Sequence, residues 1–252
     1  MTMEKLITGA RKLGLELSPK QIEQFHVYYQ ELVEWNRRLN LTAITEWEGV
    51  QINHFLDALT VTLFWQPPTS DTQSRLIDVG TGAGIPGIPL KIVFPNMGLV
   101  LLESTAKKAA FLYHLRDKLS LDNVEIVVGR AEEVAHISQY REMFDVVLSR
   151  AVAPLPTLAE LTLPFCDIGG TLIAHKKGDI DQEINQATRA ITMLGGSLRE
   201  VKRIELEEFL DRRCLLIIDK VSPTPKKYPR RPGMPSKRPL VKHKVDKQPK
   251  QE

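Results

Sequence analysis

Leu76-Ile77-Asp78-Val79-Gly80-Thr81-Gly82-Ala83-Gly84-Ile85-Pro86-Gly87 decides how the rest of the chain is read. A short β-rich run enters a glycine-rich turn and then a helical stretch, the opening unit of a doubly wound α/β sheet. Ligands of such sheets bind outside the carboxyl ends of the strands, so the turn is also the first candidate site. Outward from it, β-rich runs at 75–79, 98–103, 124–128, 144–149 and 170–175 alternate with helical stretches near 86–94, 105–119, 154–164 and 179–194. This alternation predicts a mostly parallel sheet with helices on both faces. Two closing runs, 197–206 and 212–219, have only residues 207–211 between them. That is too little for a crossover helix and predicts an antiparallel hairpin at one edge. Pro86 and Pro89 fall early in the helix after the glycines, where a missing N–H costs little.

Upstream of the turn the pattern is helical. Ser18-Pro19-Lys20-Gln21 supplies a capping hydroxyl, a proline at the first helical position and a Gln three residues past the cap. Ile22, Phe25, Tyr29, Leu32 and Leu39 then mark one buried face through about Leu39, and a further helix contains His54-Phe55-Leu56-Asp57-Ala58-Leu59. Gln66-Pro67-Pro68-Thr69-Ser70-Asp71 reads as a turn-rich linker. The expected organisation is a helical cap over 1–66, an α/β domain over 67–220 and a tail over 221–252.

Composition sets the outer bounds. Of 252 residues, 42% are hydrophobic and 26% charged, the balance of a globular protein with a sizeable core. No apolar run approaches the ~18 residues of a membrane helix. The segment Met1-Thr2-Met3-Glu4-Lys5 lacks the apolar core of a secretory signal, so a cytoplasmic location is expected. Cys166 and Cys214 are isolated in apolar surroundings and read as structural, and the six histidines show no ligand spacing, so no disulfide and no metal are expected. No interface stripe stands out, which makes a monomer the default. Net charge is +3, yet residues 221–252 carry ten Lys or Arg against Asp246 and Glu252. The tail is therefore basic and the preceding residues acidic. Rich in Pro and Lys and short of aliphatics, it is expected to be a disordered arm, either a solubilising end or an electrostatic tether for a phosphate backbone.

Gly82-Ala83-Gly84-Ile85-Pro86-Gly87 satisfies G-x-G-x-x-G, so a nicotinamide oxidoreductase has to be considered. Asp78 argues against it. A carboxylate two residues before the first glycine faces the place where a dinucleotide puts its pyrophosphate, and like charges there are unfavourable. S-adenosylmethionine, with a sulfonium, an ammonium and no phosphate, suits an acid at that point. Glu103 ends the second run nineteen residues after Gly84, where an acid can accept ribose hydroxyls. In Gly129-Arg130-Ala131-Glu132, Glu132 is a candidate partner for the adenine amine, or a plain acid at a helix start. The fourth run leads into Ser149-Arg150-Ala151-Val152. This is unlike the Asn/Asp/Ser-Pro-Pro-aromatic turn used to methylate exocyclic amines, and Cys166 beside Asp167 is a poor nucleophile for cytosine C5. A ring nitrogen with its own lone pair, such as guanine N7, needs no base and suits a site that works by orientation.

With these segments in view, the sequence resembles the small-subunit ribosomal RNA methyltransferase G family, once called glucose-inhibited division protein B. The resemblance rests on Trp35-Asn36, Asn40-Leu41-Thr42, His54-Phe55-Leu56-Asp57, the proline-bearing glycine turn from Asp78 to Leu90, Lys107-Lys108-Ala109-Ala110-Phe111-Leu112, Ser149-Arg150-Ala151 and Ala174-His175-Lys176-Lys177-Gly178. It covers roughly residues 1–220, and Tyr228-Pro229-Arg230-Arg231-Pro232-Gly233 resembles the ending of longer members. It implies a Rossmann-like class I fold and S-adenosylmethionine-dependent methylation of guanine N7 in 16S ribosomal RNA. It also implies cofactor contacts at Asp78, Gly80, Gly82, Gly84, Ile85, Glu103, Ser104, Thr105, Ala131 and Glu132, with Arg150 lining the methyl-transfer cleft as a cofactor and catalytic residue. Lys176, or equally a surface lysine there, and Lys226, Lys227, Arg230 and Arg231 would face RNA. Members often carry Asp where this chain has Glu103. The expected activity is thus an RNA methyltransferase acting on the small subunit, with an oxidoreductase and a catalytically silent RNA-binding protein as the alternatives.

Overall fold

The computed structural model describes residues 2–67 and 74–241. Positions 68–71 of the expected linker and the last eleven residues of the expected tail lie outside that range. Seven strands form one sheet in the order β3-β2-β1-β4-β5-β7-β6. They are β1 (Arg75–Val79), β2 (Gly98–Glu103), β3 (Val124–Val128), β4 (Phe144–Arg150), β5 (Cys166–Lys177), β6 (Gly196–Ile204) and β7 (Arg213–Lys220). The first five pair in parallel, with Ile77 of β1 opposite both Val100 of β2 and Val147 of β4. β7 runs antiparallel between β5 and the edge strand β6, as the short 207–211 connection requires. Strand order reverses between β1 and β4, which places the crevice at their carboxyl ends.

Successive side chains of a strand point to opposite faces, and both faces here are covered. On β7, Leu215 and Ile217 join one core while Leu216 and Ile218 join the other. The first core is shared with the N-terminal helices α1 (Glu4–Lys12) and α2 (Pro19–Leu39), and with α5 (Gly87–Val93) and α6 (Ala106–Lys118). Ser18 and Gln21 form the reciprocal capping box at the start of α2. Between α2 and β1 the chain passes through α3 (Trp47–Val50), a π-helical stretch (Gln51–Leu56), α4 (Asp57–Leu59) and a 3-10 turn (Thr60–Leu63). Tyr28 of α2 donates to the Ala83 carbonyl at 2.5 Å, and Gln21 to the carbonyls of Ile92 and Val93, so the N-terminal helices hold the glycine turn from behind. The second core contains α8 (Leu155–Thr162) and α9 (Asp181–Met193), reached past the short α7 (Ala131–Val134).

The expectation of a disordered tail is corrected for residues 221–241. They fold back over α7 and α8 and include the short α10 (Met234–Lys237). Thr224 and Tyr228 are buried, and Arg141 donates to the carbonyls of Thr224 and Tyr228, both at 2.9 Å. Arg230 meets Glu160 through its backbone N–H at 2.8 Å and through two guanidinium nitrogens. Composition undervalued this segment because a few anchors, rather than an aliphatic core, hold it. Both cysteines are buried, and burial pushes the thiol of Cys166 up to about 12 and that of Cys214 up to about 11. No described helix is long and apolar enough to cross a membrane.

Candidate cofactor cleft

The glycine turn is pinned at its entry by backbone. Gly80 and Thr81 both donate to the Leu102 carbonyl, at 2.9 and 3.1 Å, tying the exit of β1 to β2. Gly80 has φ +71°, and a Cβ there would come within 2.7 Å of the Val152 side chain, so both conformation and space call for glycine. Ala131 is half-buried.

Asp78 is wholly buried at the end of β1. Its Oδ2 accepts from Thr81 Oγ1 at 2.7 Å and from the Gly87 N–H at 2.9 Å, so one oxygen holds the turn shut. Its Oδ1 has no partner among the described residues. Burial pushes the carboxyl up to about 6, against the opposing pull of the Thr81 and Gly87 hydrogen bonds. Glu103, 5% exposed, accepts from the Gly82 N–H at 3.0 Å and from the Thr105 N–H at 2.8 Å. Two carboxylates therefore flank one turn, both oriented by main-chain donors. Ser104 and Thr105 are exposed beside them.

Arg150 ends β4 next to β1, but its guanidinium turns toward the N-terminal helices. It donates to Asp57 Oδ2 at 2.8 Å and to the Asn53 carbonyl at 2.7 Å, and lies 3.0 Å from His54 Nδ1. Asp57 Oδ1 is in turn 2.9 Å from Arg213 at the start of β7. Burial opposes the charge of Asp57, yet His175, Arg150 and Arg213 hold its carboxyl below the usual range. Burial, reinforced by the Arg150 charge, takes His54 down to about 4. This group joins the helical region to three strands. Sequence reading had His54 and Asp57 in view only as shared segments and did not reach Arg213; an acid and a histidine three apart in an apolar helix were the available signal.

Other expected site residues are placed differently. Lys176 is committed to the Ala153 carbonyl at 3.0 Å and to Glu183, and Arg230 to Glu160, so neither is a free RNA-facing cation. Lys226, Lys227 and Arg231 are exposed. Glu132 is 4% exposed, and its Oε1 accepts from the Gly233 N–H at 2.9 Å. Among the described residues, no cluster of three or more His, Cys, Asp or Glu could hold a metal ion.

An open sheet reversing between β1 and β4, a glycine turn headed by an acid and a second acid at the end of β2 define a Rossmann-like class I methyltransferase fold. Structures similar at that level include an MtNAS mutant in complex with S-adenosylmethionine (TM-score 0.50, 16% identity, 79% of this chain and 75% of that one). The [4+2]-cyclase SpnF is also similar (TM-score 0.50, 13% identity, 66% of this chain and 82% of that one). The chain belongs to the family described as rRNA small subunit methyltransferase G, which residues 21–213 match. Relatives named ribosomal RNA small subunit methyltransferase G are 50% identical over 239 residues in Dehalococcoides mccartyi (95% of this chain, all of that one). The relative in Lachnoclostridium phytofermentans is 46% identical over 238 residues (94% of this chain, 97% of that one). This membership disfavours the oxidoreductase alternative.

Proposed function

We propose that this protein transfers a methyl group from S-adenosylmethionine to N7 of a guanine in the 16S RNA of the small ribosomal subunit. The observation that carries the reading is the pair of buried carboxylates, Asp78 and Glu103, bordering the glycine turn. Such a cradle repels a pyrophosphate and suits a cationic nucleoside. The unpartnered Asp78 Oδ1 is a fixed acceptor awaiting a donor, and Gly80 lets a ligand approach the main chain closely. The residues present therefore fit the cofactor: Glu103 for the ribose hydroxyls, Ala131 and Glu132 for the adenine end, and Asp78 for the positive end.

When bound, the cofactor supplies an electrophilic methyl group on sulfur. Guanine N7 presents an in-plane lone pair and no proton, so the protein's task is alignment and exclusion of water. Arg150, fixed by Asp57 and the Asn53 carbonyl, serves that alignment as a positioning residue where β4 opens toward the acceptor. Exposed Lys226, Lys227 and Arg231 supply phosphate contacts, which set the position of an RNA without reading its sequence. An enzyme of ribosomal RNA works where ribosomes are, in the cytoplasm, and one chain carries all the elements of the cleft, consistent with a monomer.

The test is incubation of the protein with labelled S-adenosylmethionine and small subunits lacking the modification, followed by nucleoside mass spectrometry. N7-methylguanosine is the expected product. Cofactor binding without transfer to subunits or free RNA would point instead to a silent RNA-binding protein, and binding of NADH in place of S-adenosylmethionine would overturn the cofactor reading.

A further inference from the structure

The chain leaving β7 returns across α7 and α8. Pro229 accepts from the His136 ring at 2.8 Å, Arg230 clamps Glu160, and Pro235 accepts from Thr157 Oγ1 at 3.1 Å. Between these anchors the Gly233 N–H donates to Glu132 Oε1 at 2.9 Å. The other donor to that oxygen, Arg130, is a half-exposed side chain at 3.3 Å. The strap therefore supplies the shorter and better-anchored of the two. Gly233 presents this N–H from φ +80°, a backbone state that side chains disfavour.

The clamp is built to hold. Glu160 is fully buried, the one charged residue of α8, and takes three donors from Arg230, which satisfy that charge. The same helix begins three residues after Val152, whose side chain fills the space a Cβ on Gly80 would need.

We propose that residues 228–238 form a strap that positions Glu132 and so sets the selectivity of the cleft for a nucleoside bearing a 6-amino group over one bearing a 6-oxo group. The inference rests on the cofactor reading above. A carboxylate held in place accepts from the amine of adenine, whereas the carbonyl of hypoxanthine meets it as acceptor against acceptor. Because coupling between two sites is reciprocal, occupancy by the amino nucleoside must in turn steady the strap.

Calorimetry with S-adenosylhomocysteine and S-inosylhomocysteine tests this on the full chain and on Arg230→Met. The full chain is expected to prefer the adenosyl compound by on the order of tenfold or more, as for a hydrogen bond to a charged group. Arg230→Met should lose most of that preference through weaker adenosyl binding, with inosyl binding little changed. A parallel loss for both compounds, or an unchanged ratio, overturns the strap's role. Should Arg230→Met fold poorly, hydrogen exchange on the unaltered chain decides: slower exchange at the Gly233 amide with the adenosyl compound but not the inosyl one supports the proposal, and equal exchange overturns it. If the full chain binds neither compound, the cofactor reading itself fails and the strap proposal falls with it.

Discussion

Replacing Asp57 with asparagine removes the one negative charge shared by Arg150 and Arg213 while keeping the size of the side chain. The three side chains are 6%, 17% and 2% exposed, so the guanidinium groups would be left in a poorly solvated pocket. Breaking a buried pair by deleting one partner costs about 3–5 kcal/mol. The lower end applies here, because Arg213 keeps Asp211 and Asn53, and Arg150 keeps the Asn53 carbonyl. At roughly 2–4 °C per kcal/mol for a chain of this size, the melting temperature should fall by about 6–12 °C at pH 7. The pH dependence follows from the sign of the shift. Asp57 titrates below its ordinary value in the fold, so its contribution is fully present above the unfolded value of about 4 and is lost as pH falls through the lower folded value. The gap between wild type and Asp57→Asn should be constant from pH 5 to 7 and close toward pH 3. Circular dichroism melts across that range measure it. A loss under about 1 kcal/mol, or a gap that widens in acid, would refute the claim that Asp57 holds two cations together.

Three further outcomes are expected. Asp78 titrates at about 6 in the free protein, so its charge costs folding stability as pH rises from about 4 to 6. Capture of a cationic cofactor should lower that value. Binding should then release protons near pH 6 and weaken below it, whereas affinity unchanged from pH 7.5 to 5.5 would exclude Asp78 from the positive end. Gly80→Ala forces a side chain into φ +71° against Val152. It should destabilise the fold by about 1–2 kcal/mol from conformation alone and weaken cofactor binding, as paired melting and calorimetry would report. Lys226→Gln with Lys227→Gln should weaken RNA binding and make its logarithmic salt slope shallower by roughly 1.5–2 if each lysine meets a phosphate. Cofactor affinity should stay put, and an unchanged slope would remove these lysines from the interface. The double substitution is a cleaner probe than deleting residues 222–252, because that deletion also strips Arg230 from Glu160.

The sheet was legible because local pattern and final burial agree. Strand limits at 75–79, 98–103 and 124–128 coincide with the observed β1, β2 and β3, since each run is an apolar segment stopped by turn residues. β5 was placed late, at 170 instead of Cys166, because Gly169 and Gly170 break the pattern where the pairing with β4 shifts register. The placement of the glycine turn and its two acids was equally readable, because the groups that orient them lie within a few residues or on the adjacent strand. The destination of Arg150 was not. Its partners Asn53, His54 and Asp57 lie nearly a hundred residues away, and no local spacing states that a β4 cation reaches the N-terminal helices.

The strap shows where composition misleads and what would have corrected it. A segment rich in Pro and Lys cannot fold alone, which is true of 221–241 as an isolated peptide and irrelevant to a peptide with a prepared surface. The preparation was visible in Leu155-Pro156-Thr157-Leu158-Ala159-Glu160-Leu161-Thr162, where one acid sits among apolar neighbours in a helix that the sheet buries. A carboxylate in that position must either protonate or find a cation from elsewhere in the chain. Residues 1–220 are net acidic and the tail is where the surplus of cations lies. Arg230 answers that demand, and in doing so it brings Gly233 to Glu132. The same basic tail therefore divides its work. Arg230 is spent inside the molecule on Glu160 of α8, while Lys226, Lys227 and Arg231 remain exposed. Charge counted by segment hides that division; charge followed side chain by side chain separates the cation paired inside the fold from those left on the surface.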